Sequence, residues 1–267
     1  NAFLNPQHID PRKQWQNSNN APLFNRATFG QFPPASTIKP IIGLIGLQTH
    51  TITTETRIKD LGYFQLPSTH HHYRDWLPEG HGVVNLHKAI AVSCDTFFYQ
   101  LAIKLGIHTL NSILFSFGLG QKVSTDIAES AGLLNNPNWK HAHQHAPWYI
   151  GDTIISGIGQ GNTLVTPLQL AHMSALLAQR GHGYRPHILK AYRSNTHTSI
   201  AIKPTPWNVM PIEKAYYQTI IQAMQAVIHS PFQYHTGWRF GEITYSIAGK
   251  TGTAELYHRT KNRNAYV

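Results

Sequence analysis

A serine and a lysine near the start of a predicted helix have the types and the spacing of a nucleophile and its base. Ser36 and Lys39 are three residues apart in an apolar stretch that predicts a helix over about 33–47, with Pro40 in its first turns. Side chains three apart lie on one helix face, and the helix N-terminus supplies free N–H groups beside the hydroxyl. A buried lysine with a lowered pKa can take the proton of a serine hydroxyl. The pair also fits an ordinary amphipathic helix, so further motifs must decide between these readings.

Two such motifs follow in the chain. They are Ser93-Cys94-Asp95, on a second predicted helix, and Lys250-Thr251-Gly252-Thr253, directly after an alternating strand pattern over 243–248. Lys250 can bind a carboxylate, and Gly252 allows a substrate backbone to approach closely. Asp95 cannot donate a hydrogen bond as an asparagine amide would, so its contact with substrate or with Lys39 must differ. With the Ser36–Lys39 pair, these motifs supply the hydroxyl, amine and carboxylate groups that a serine nucleophile requires.

A candidate metal site involves the only cysteine of the chain. Asp60, Asp75 and His81 lie between the first two motifs, and Cys94 lies inside the second. One thiolate, one imidazole and two carboxylates complete a tetrahedral zinc shell with no open position, which is a structural site. The alternative is a small apolar cysteine with the aspartates in turns, and spacing alone favours it because zinc sites with two aspartates are uncommon. The histidines at 70–72 and at 141, 143 and 145 are expected to be solvated.

The elements that must position these residues are mostly helices. Helices are predicted over 33–47, over 86–102, after Ile107 to about Gly118, from Thr166-Pro167 to Gly181, and from Pro211. Residues 1–30 are expected to form an extended lead-in, and 60–85 and 132–150 to be loops. A late strand and the absence of any βαβ rhythm predict an α+β fold.

Composition excludes several classes of protein. The 267 residues carry a formal net charge of +10, yet only 13% are charged, so the basicity reflects scarce acids. The densest basic run, 259–263, is expected to be a solvated loop, and no nucleic-acid partner is predicted. One cysteine excludes a disulfide framework, and the apolar run 41–47 is too short to span a bilayer. The glycines at 157–161 lack the spacing and the βαβ unit of a dinucleotide site.

S-x-x-K, S-D-N and K-T-G in this order mark penicillin-binding proteins and class A β-lactamases. The chain has the three motifs in this order, with Asp95 in place of the asparagine of the middle one. Over almost its whole length the chain resembles one such family, the penicillin-binding protein 2 group of class B D,D-transpeptidases of the bacterial elongation machinery. The resemblance rests on Asn25-Arg26-Ala27-Thr28, Pro33-Pro34-Ala35-Ser36-Thr37-Ile38-Lys39-Pro40, Tyr73-Arg74-Asp75-Trp76, His81-Gly82, Asp95-Thr96-Phe97-Phe98-Tyr99-Gln100, Pro147-Trp148, Gly151-Asp152-Thr153, Gly157-Ile158-Gly159-Gln160-Gly161 and Thr166-Pro167-Leu168-Gln169.

The resemblance implies a fold and a set of roles. The fold is an antiparallel sheet flanked by helices with an all-helical subdomain, as in serine β-lactamases. Ser36 attacks the bond between two D-alanines of a peptidoglycan stem peptide, Lys39 takes its proton, and Ser93 relays a proton to the leaving amine. Lys250 holds the substrate carboxylate, together with the substrate-binding residues Asp95, Thr251, Gly252 and Thr253. The N–H groups of Ser36 and Thr253 form the oxyanion hole, and β-lactams acylate Ser36.

The resemblance also implies a setting for the domain. Acyl transfer requires no cofactor, but some members of the family hold zinc at positions matching Asp60, Asp75, His81 and Cys94. The domain is expected in the periplasm, attached to the inner membrane by an N-terminal helix outside this chain. Glycan-polymerising and scaffold proteins of the elongation complex are the expected partners. Residues 1–267 are expected to be one transpeptidase domain that lacks its C-terminal strands and helix.

Three alternative functions remain open at this stage. A serine β-lactamase shares the three motifs but needs an additional base to activate water, and no such residue is evident. A β-lactam-binding sensor acylates without turnover, and it is expected to lack the Tyr-Arg-Asp-Trp and Gly-Asp-Thr segments. A catalytically inactive structural partner is disfavoured by the intact Ser36, Lys39, Ser93 and Lys250.

Overall fold

The computed structural model describes residues 21–67, 69–193, 198–240 and 243–254, and these residues form an α+β fold. Its strands pair antiparallel in four two-stranded sheets within the described residues. The predicted fold class is therefore confirmed, although the helices carry most of the described structure.

The elements are numbered here in chain order. The helices are α1 (Arg26–Phe29), α2 (Lys39–Gln48), α3 (Leu86–Ala91), α4 (Asp95–Ser116), α5 (Pro137–Gln144), α6 (Ile150–Ser156), α7 (Pro167–Ala178) and α8 (Lys214–Gln225), with 3-10 turns at Ala35–Ile38 and Trp238–Phe240. The strands are β1 (Ile58–Asp60), β2 (Tyr63–Gln65), β3 (His72–Arg74), β4 (Gly82–Val84), β5 (His182–Tyr184), β6 (Ala191–Arg193), β7 (Ser199–Ala201) and β8 (Pro206–Asn208). The pairs are β1–β4, β2–β3, β5–β8 and β6–β7.

The central helix α2 is buried along almost its whole length, which explains its nearly continuous apolar sequence. It packs against α3, α4 and α8. A Cβ atom on Gly43 would lie 2.8 Å from a methyl group of Leu86, so the glycine allows α3 to approach closely. The helix predicted over 33–47 is confirmed, except that its first turn, Ala35–Ile38, is a 3-10 helix.

The helix predicted over 86–102 is wrong as one continuous element. It divides into α3 and α4 at residues 92–94, where Ser93 adopts the left-handed conformation with φ of 59°. Gly106 introduces a second break, with φ of 72° and ψ of 159°, so the helix predicted after Ile107 is the second half of α4. A periodic apolar pattern continues through both breaks, and therefore the pattern alone does not locate them.

Three other predictions differ from the structure. Residues 60–85 contain short hairpin strands, and 132–150 contain α5, which Asn136 caps and Pro137 opens. Residues 243–254 contain no strand, although the alternating pattern at 243–248 predicted one. Strands form only where a neighbour pairs with them, which a local pattern does not report.

The N-terminal lead-in and the basic run are only partly covered. Within the predicted lead-in over 1–30, residues 26–29 form α1, whereas 1–20 lie outside the described residues. The basic run 259–263 also lies outside them. In the described part of the chain no helix has the length and hydropathy needed to cross a membrane.

The helix predicted from Thr166-Pro167 to Gly181 is confirmed as α7, and its first turn anchors the loop that contains Gln121 and Ala131. Thr166 and Gln169 form a reciprocal capping box, and Gly181, with φ of 86°, ends the segment. The fully buried Gln169 also donates from Nε2 to the carbonyls of Gln121 at 2.7 Å and Ala131 at 2.8 Å. The helix predicted from Pro211 begins at Lys214.

We expect Gln169→Ala to lower the free energy of unfolding by about 2 kcal/mol, because it removes the cap and leaves two partly buried carbonyls without a donor. Urea unfolding followed by circular dichroism measures this change. The matched control is Gln179→Ala, at an exposed position after the same helix, which should change stability by less than about 0.5 kcal/mol. Equal effects of the two substitutions would contradict this role for Gln169.

Candidate active site

The hydroxyl group of Ser93 joins the three motifs. Its Oγ lies 3.3 Å from Nζ of Lys39 and 2.8 Å from Nζ of Lys250, so both amines donate to one oxygen. Ser93 can present this oxygen because its left-handed backbone breaks the helical path between α3 and α4. Residues 54 and 157 positions apart are thereby brought into direct contact.

Lys39 is the most deeply buried charged group of the site, with 0% of its surface exposed. Its Nζ donates to the Ser93 carbonyl at 2.8 Å and to Oδ1 of Asp95 at 2.6 Å, as well as to Ser93 Oγ. It also lies 5.4 Å from the centre of the Phe98 ring. A buried ammonium requires such partners, since three N–H donors removed from water would otherwise be unsatisfied. Asp95 therefore serves as the counter-ion of Lys39.

Lys250 occupies a different electrostatic environment. Nζ contacts Ser93 and the carbonyl of Thr251, at 3.0 Å. Burial, reinforced by the charge of Lys39, lowers the pKa of Lys250 well below its ordinary value, and Asp95 only partly opposes this. The two lysines thus share the Ser93 hydroxyl, but the described residues provide only one carboxylate partner for the pair. A bound carboxylate would restore the charge balance at Lys250.

Ser36 lies on the 3-10 turn that precedes α2 and is half-buried. Gly252 packs directly against this turn, because a Cβ atom there would lie 2.8 Å from the methyl group of Thr37. The close approach that the sequence suggested for Gly252 is thus made to this turn. Within the described residues, neither the Ser36 nor the Thr253 N–H donates a hydrogen bond. Both donors are therefore available to an oxyanion.

The Tyr73-Arg74-Asp75-Trp76 segment holds the break between α3 and α4. Oδ2 of Asp75 accepts from the N–H groups of Asp95 at 2.7 Å and Thr96 at 3.1 Å, which caps α4 from outside the helix. Nε1 of Trp76 donates to the Val92 carbonyl at 2.9 Å. These bonds shape the backbone around Ser93, and so a segment distant from it in sequence positions it.

Asp60, Asp75, His81 and Cys94 form a buried cluster beside this break. One potential ligand atom from each residue lies within 4.8 Å of the others. Nδ1 of His81 is 2.7 Å from Oδ2 of Asp60 and 3.6 Å from Oδ1 of Asp75. Nε2 of His81 is buried and has no hydrogen-bond partner among the described residues. The structure thus brings together the four residues that the sequence singled out.

The electrostatics of the cluster fit a cation. Burial, together with the charges of Asp75 and Asp60, raises the pKa of the Cys94 thiol well above its ordinary value. Burial and the nearby Asp95 also raise the pKa of Asp75. At Asp60 burial is outweighed by hydrogen bonds from His81 and Gly62, and its pKa is lowered. A divalent ion would satisfy two carboxylates and a thiolate that otherwise repel one another, and sulfur, nitrogen and oxygen donors suit zinc.

Three residues near the site were not identified from the sequence as functional. Nε2 of Gln160 donates to the Thr253 carbonyl at 3.0 Å, and the Gly159 carbonyl of the same loop accepts from Ala35 N–H at 2.9 Å. This loop therefore ties Thr253 to the turn that carries Ser36. Thr236 accepts from the Thr251 hydroxyl at 2.7 Å, and Trp76 lies beside Val92. Gln160 and Trp76 lie in segments that carry the family resemblance, which was the available signal, whereas no motif marked Thr236.

Comparison with known proteins gives a consistent family. A family model described as the penicillin binding protein transpeptidase domain matches residues 4–266. Peptidoglycan D,D-transpeptidase MrdA of Acinetobacter baumannii is 42% identical over 240 residues, which cover 88% of this chain and 34% of that protein. MrdA of Escherichia coli is 36% identical over 242 residues, covering 90% of this chain and 38% of that protein. The chain thus spans about a third of the length of these relatives.

Solved structures agree with this comparison. Penicillin-binding protein 2 of Pseudomonas aeruginosa, in complex with WCK 5153, has a TM-score of 0.84 and 40% identity, covering 93% of this chain and 56% of that one. Penicillin-binding protein 2 of Helicobacter pylori, in complex with MreC, has a TM-score of 0.78 and 29% identity, covering 93% and 45%. The resemblance stated from the sequence motifs is confirmed.

The lowered pKa of Lys250 predicts a pH dependence of stability. Between that pKa and the ordinary value of 10.5 the unfolded chain binds more protons than the folded protein, so the Lys250 penalty declines as pH rises. We expect Lys250→Met to be more stable than the unmodified protein at neutral pH, and this advantage to shrink towards pH 10.5. Urea unfolding across this pH range measures the difference.

The matched control for this experiment is Lys190→Met, at an exposed lysine. Its stability difference should stay near zero throughout the range. A constant advantage of Lys250→Met at all pH values would contradict the lowered pKa.

Proposed function

The chain belongs to the penicillin-binding protein transpeptidase family, and we propose that it cross-links peptidoglycan stem peptides as a serine D,D-transpeptidase in cell elongation and shape maintenance. The observation that carries this proposal is the Lys39–Ser93–Lys250 chain of hydrogen bonds, with Ser36 on the turn that leads into the helix of Lys39. The names of the MrdA relatives, which are peptidoglycan D,D-transpeptidases, support it. We treat residues 1–267 as one transpeptidase domain.

Acylation begins with Ser36, which attacks the carbonyl between the last two D-alanines of a stem peptide. Lys39, which follows Ser36 by three residues where the 3-10 turn meets α2, accepts the Ser36 proton. Ser93 bridges the two amines and so offers a proton route from Lys39 to the departing D-alanine nitrogen. An amine of a second stem peptide then attacks the ester and completes the cross-link.

Substrate binding uses the opposite wall of the site. Lys250 and Thr251 hold the terminal carboxylate, whose charge compensates the buried lysines. Gly252 keeps Thr253 close to the Ser36 turn, and the N–H groups of Ser36 and Thr253 act as the oxyanion hole, typically worth about 3 kcal/mol per donor. Asp95 contributes by holding Lys39. A β-lactam occupies the same groups and traps Ser36 as an ester.

The β-lactamase alternative is less well supported. Such an enzyme needs a second base that activates water for deacylation. Among the described residues, Asp95 is the only carboxylate that hydrogen-bonds to Ser36, Lys39, Ser93 or Lys250, and it is paired with Lys39. The sensor alternative is disfavoured because Asp75 and Trp76 of the Tyr-Arg-Asp-Trp segment support the Ser93 break directly.

We also propose that Asp60, Asp75, His81 and Cys94 hold one structural zinc ion. The ion would be structural, because four protein ligands leave no position for substrate or water. Acyl transfer through Ser36 itself needs no cofactor. Asp75 links this centre to the active site, since its second oxygen caps α4 next to Ser93. The zinc ligands would thus rigidify the segment that positions Ser93.

The cellular setting is proposed from the family alone. We place the domain on the periplasmic side of the bacterial inner membrane, attached by an N-terminal helix. Stem peptides and β-lactams are its ligands, and glycan-polymerising and scaffold proteins are its partners. Relatives support such partners, since one solved structure contains penicillin-binding protein 2 with MreC and another a peptidoglycan synthase complex.

We expect a fluorescent penicillin to label the protein covalently with about one label per chain, and Ser36→Ala to abolish labelling because the ester oxygen is gone. Denaturing gel electrophoresis measures the label. The control Ser174→Ala, at an exposed serine of α7, should be labelled normally. Persistent labelling of Ser36→Ala would overturn the assignment of the nucleophile.

Elemental analysis should find about one zinc per chain after purification without chelators. Cys94→Ala and His81→Gln should lose the metal and melt at a lower temperature, because metal binding contributes to folding. His108→Gln, at an exposed position of α4, should retain both properties. Absence of zinc, together with an unchanged melting temperature of Cys94→Ala, would exclude this site.

A further inference from the structure

A cavity of about 730 Å³ opens beside the Lys250–Thr251 end of the active site. Its wall comes from Trp76 and from the segment that follows α8. The lining residues are Trp76, Ser230, Pro231, Phe232, Gln233, Tyr234, His235, Thr236 and Trp238. The segment after α8 carries none of the sequence motifs, and none of the proposed catalytic roles falls on it.

Two residues of the cavity wall contact the proposed active site through hydrogen bonds. Thr236 lines it and hydrogen-bonds both to the Thr251 hydroxyl, at 2.7 Å, and to the Ala91 carbonyl, at 3.2 Å. Trp76 lines its other side and donates to Val92, the residue before Ser93. A ligand held by Thr251 would therefore lie next to a residue of the cavity wall.

Within the described part of the chain, the lining is largely aromatic and contains no carboxylate. Tyr234 meets Trp76 edge to face, with ring centres 6.4 Å apart, and Trp238 is 63% exposed. Among the described residues, two positive charges lie near this wall, since Arg239 contacts the Trp238 ring at 5.3 Å and Lys250 bonds to Thr251, while Asp75, the residue before Trp76, is buried. Such a surface suits an uncharged alkyl or aryl group that is attached to a carboxylate.

The direction of the reaction indicates which part of the substrate binds in the cavity. Aminolysis of the acyl-enzyme is chemically the reverse of acylation, so the incoming amine must occupy the position that the D-alanine amine has left. The leaving group is an α-amino acid whose carboxylate is assigned to Lys250 and Thr251. An acceptor with amine and carboxylate on one D-configured carbon repeats these contacts, and its side chain replaces the methyl group of D-alanine.

We propose that the cavity is the acceptor subsite, which holds the apolar part of the side chain of a D-configured α-amino acid acceptor; this proposal rests on the transpeptidase function above. The amine lone pair attacks the ester carbonyl carbon, the new C–N bond forms as the bond to Ser36 Oγ breaks, and one amine proton passes to that oxygen. The aromatic lining contributes binding energy that water, the competing acceptor, does not obtain.

The backbone of Tyr234 supports a specific role for this segment. Its φ is 68°, a left-handed value that is strained for an aromatic residue. The ring is nevertheless 49% exposed at the cavity wall, so it contributes little to the core. Tyr234→Asn removes the ring and keeps a residue that tolerates this conformation, and Trp238→Ala removes a second exposed ring.

The test measures how the acyl-enzyme partitions between amino acids and water. The donor is a thioester analogue of acyl-D-alanine, and the acceptors are D-alanine, D-2-aminobutyrate and D-norvaline at equal concentration. The ratio of aminolysis to hydrolysis should rise up to about fourfold per added methylene group. Tyr234→Asn and Trp238→Ala should flatten this rise, whereas Tyr184→Ala, at an exposed tyrosine outside the cavity, should preserve it.

Fluorescent penicillin labelling distinguishes this proposal from the one on which it rests. Normal labelling of both cavity variants with a flattened acceptor series supports the acceptor subsite. Normal labelling with an acceptor series that is flat in the unmodified protein, or unchanged in both variants, overturns it. A change confined to the labelling rate also overturns it and assigns the cavity to β-lactam side chains. Loss of labelling in the unmodified protein would instead overturn the transpeptidase function.

Discussion

The burial of one ammonium group, that of Lys39, constrains the rest of the site. Its helix lies in the middle of the core, so the amine has no water and must find its acceptors in the protein. They come from a single stretch, the carbonyl and hydroxyl of Ser93 and the carboxylate of Asp95. These groups can reach the Lys39 amine only because the helix breaks at Ser93. In a continuous helix the Ser93 carbonyl would instead accept a hydrogen bond within the helix.

The break itself depends on a second layer of contacts. Asp75 caps α4, Trp76 holds the carbonyl of Val92, and the Asp60–His81 pair packs beside Cys94. The proposed zinc ligands and the proposed catalytic groups are thus structurally connected, because Asp75 contacts both. This arrangement accounts for the presence of a buried metal-type donor set next to a reaction that uses no metal.

Much of the candidate site was predictable because its chemistry is local. Ser36 and Lys39 are neighbours on one turn, and Asp60, Asp75, His81 and Cys94 have side chains suited to one ion. The fold was less predictable where one local sequence pattern is compatible with more than one secondary structure. The apolar periodicity over 86–102 does not distinguish one helix from two, since the deciding contacts come from residues 75 and 76. The alternation over 243–248 predicted a strand, but a strand also requires a paired neighbour.

The sequence by itself determined the residue types, their order and the family, because motifs of this kind persist as short local patterns. Tertiary structure decided how they are joined. Ser93 and Lys250 are 157 residues apart, and only the packed fold shows that one hydroxyl serves two lysines, that Asp95 is the counter-ion, and that Thr236 continues the site into an aromatic cavity. These facts depend on distances between remote segments, which burial and hydrogen bonding set together and no local spacing encodes.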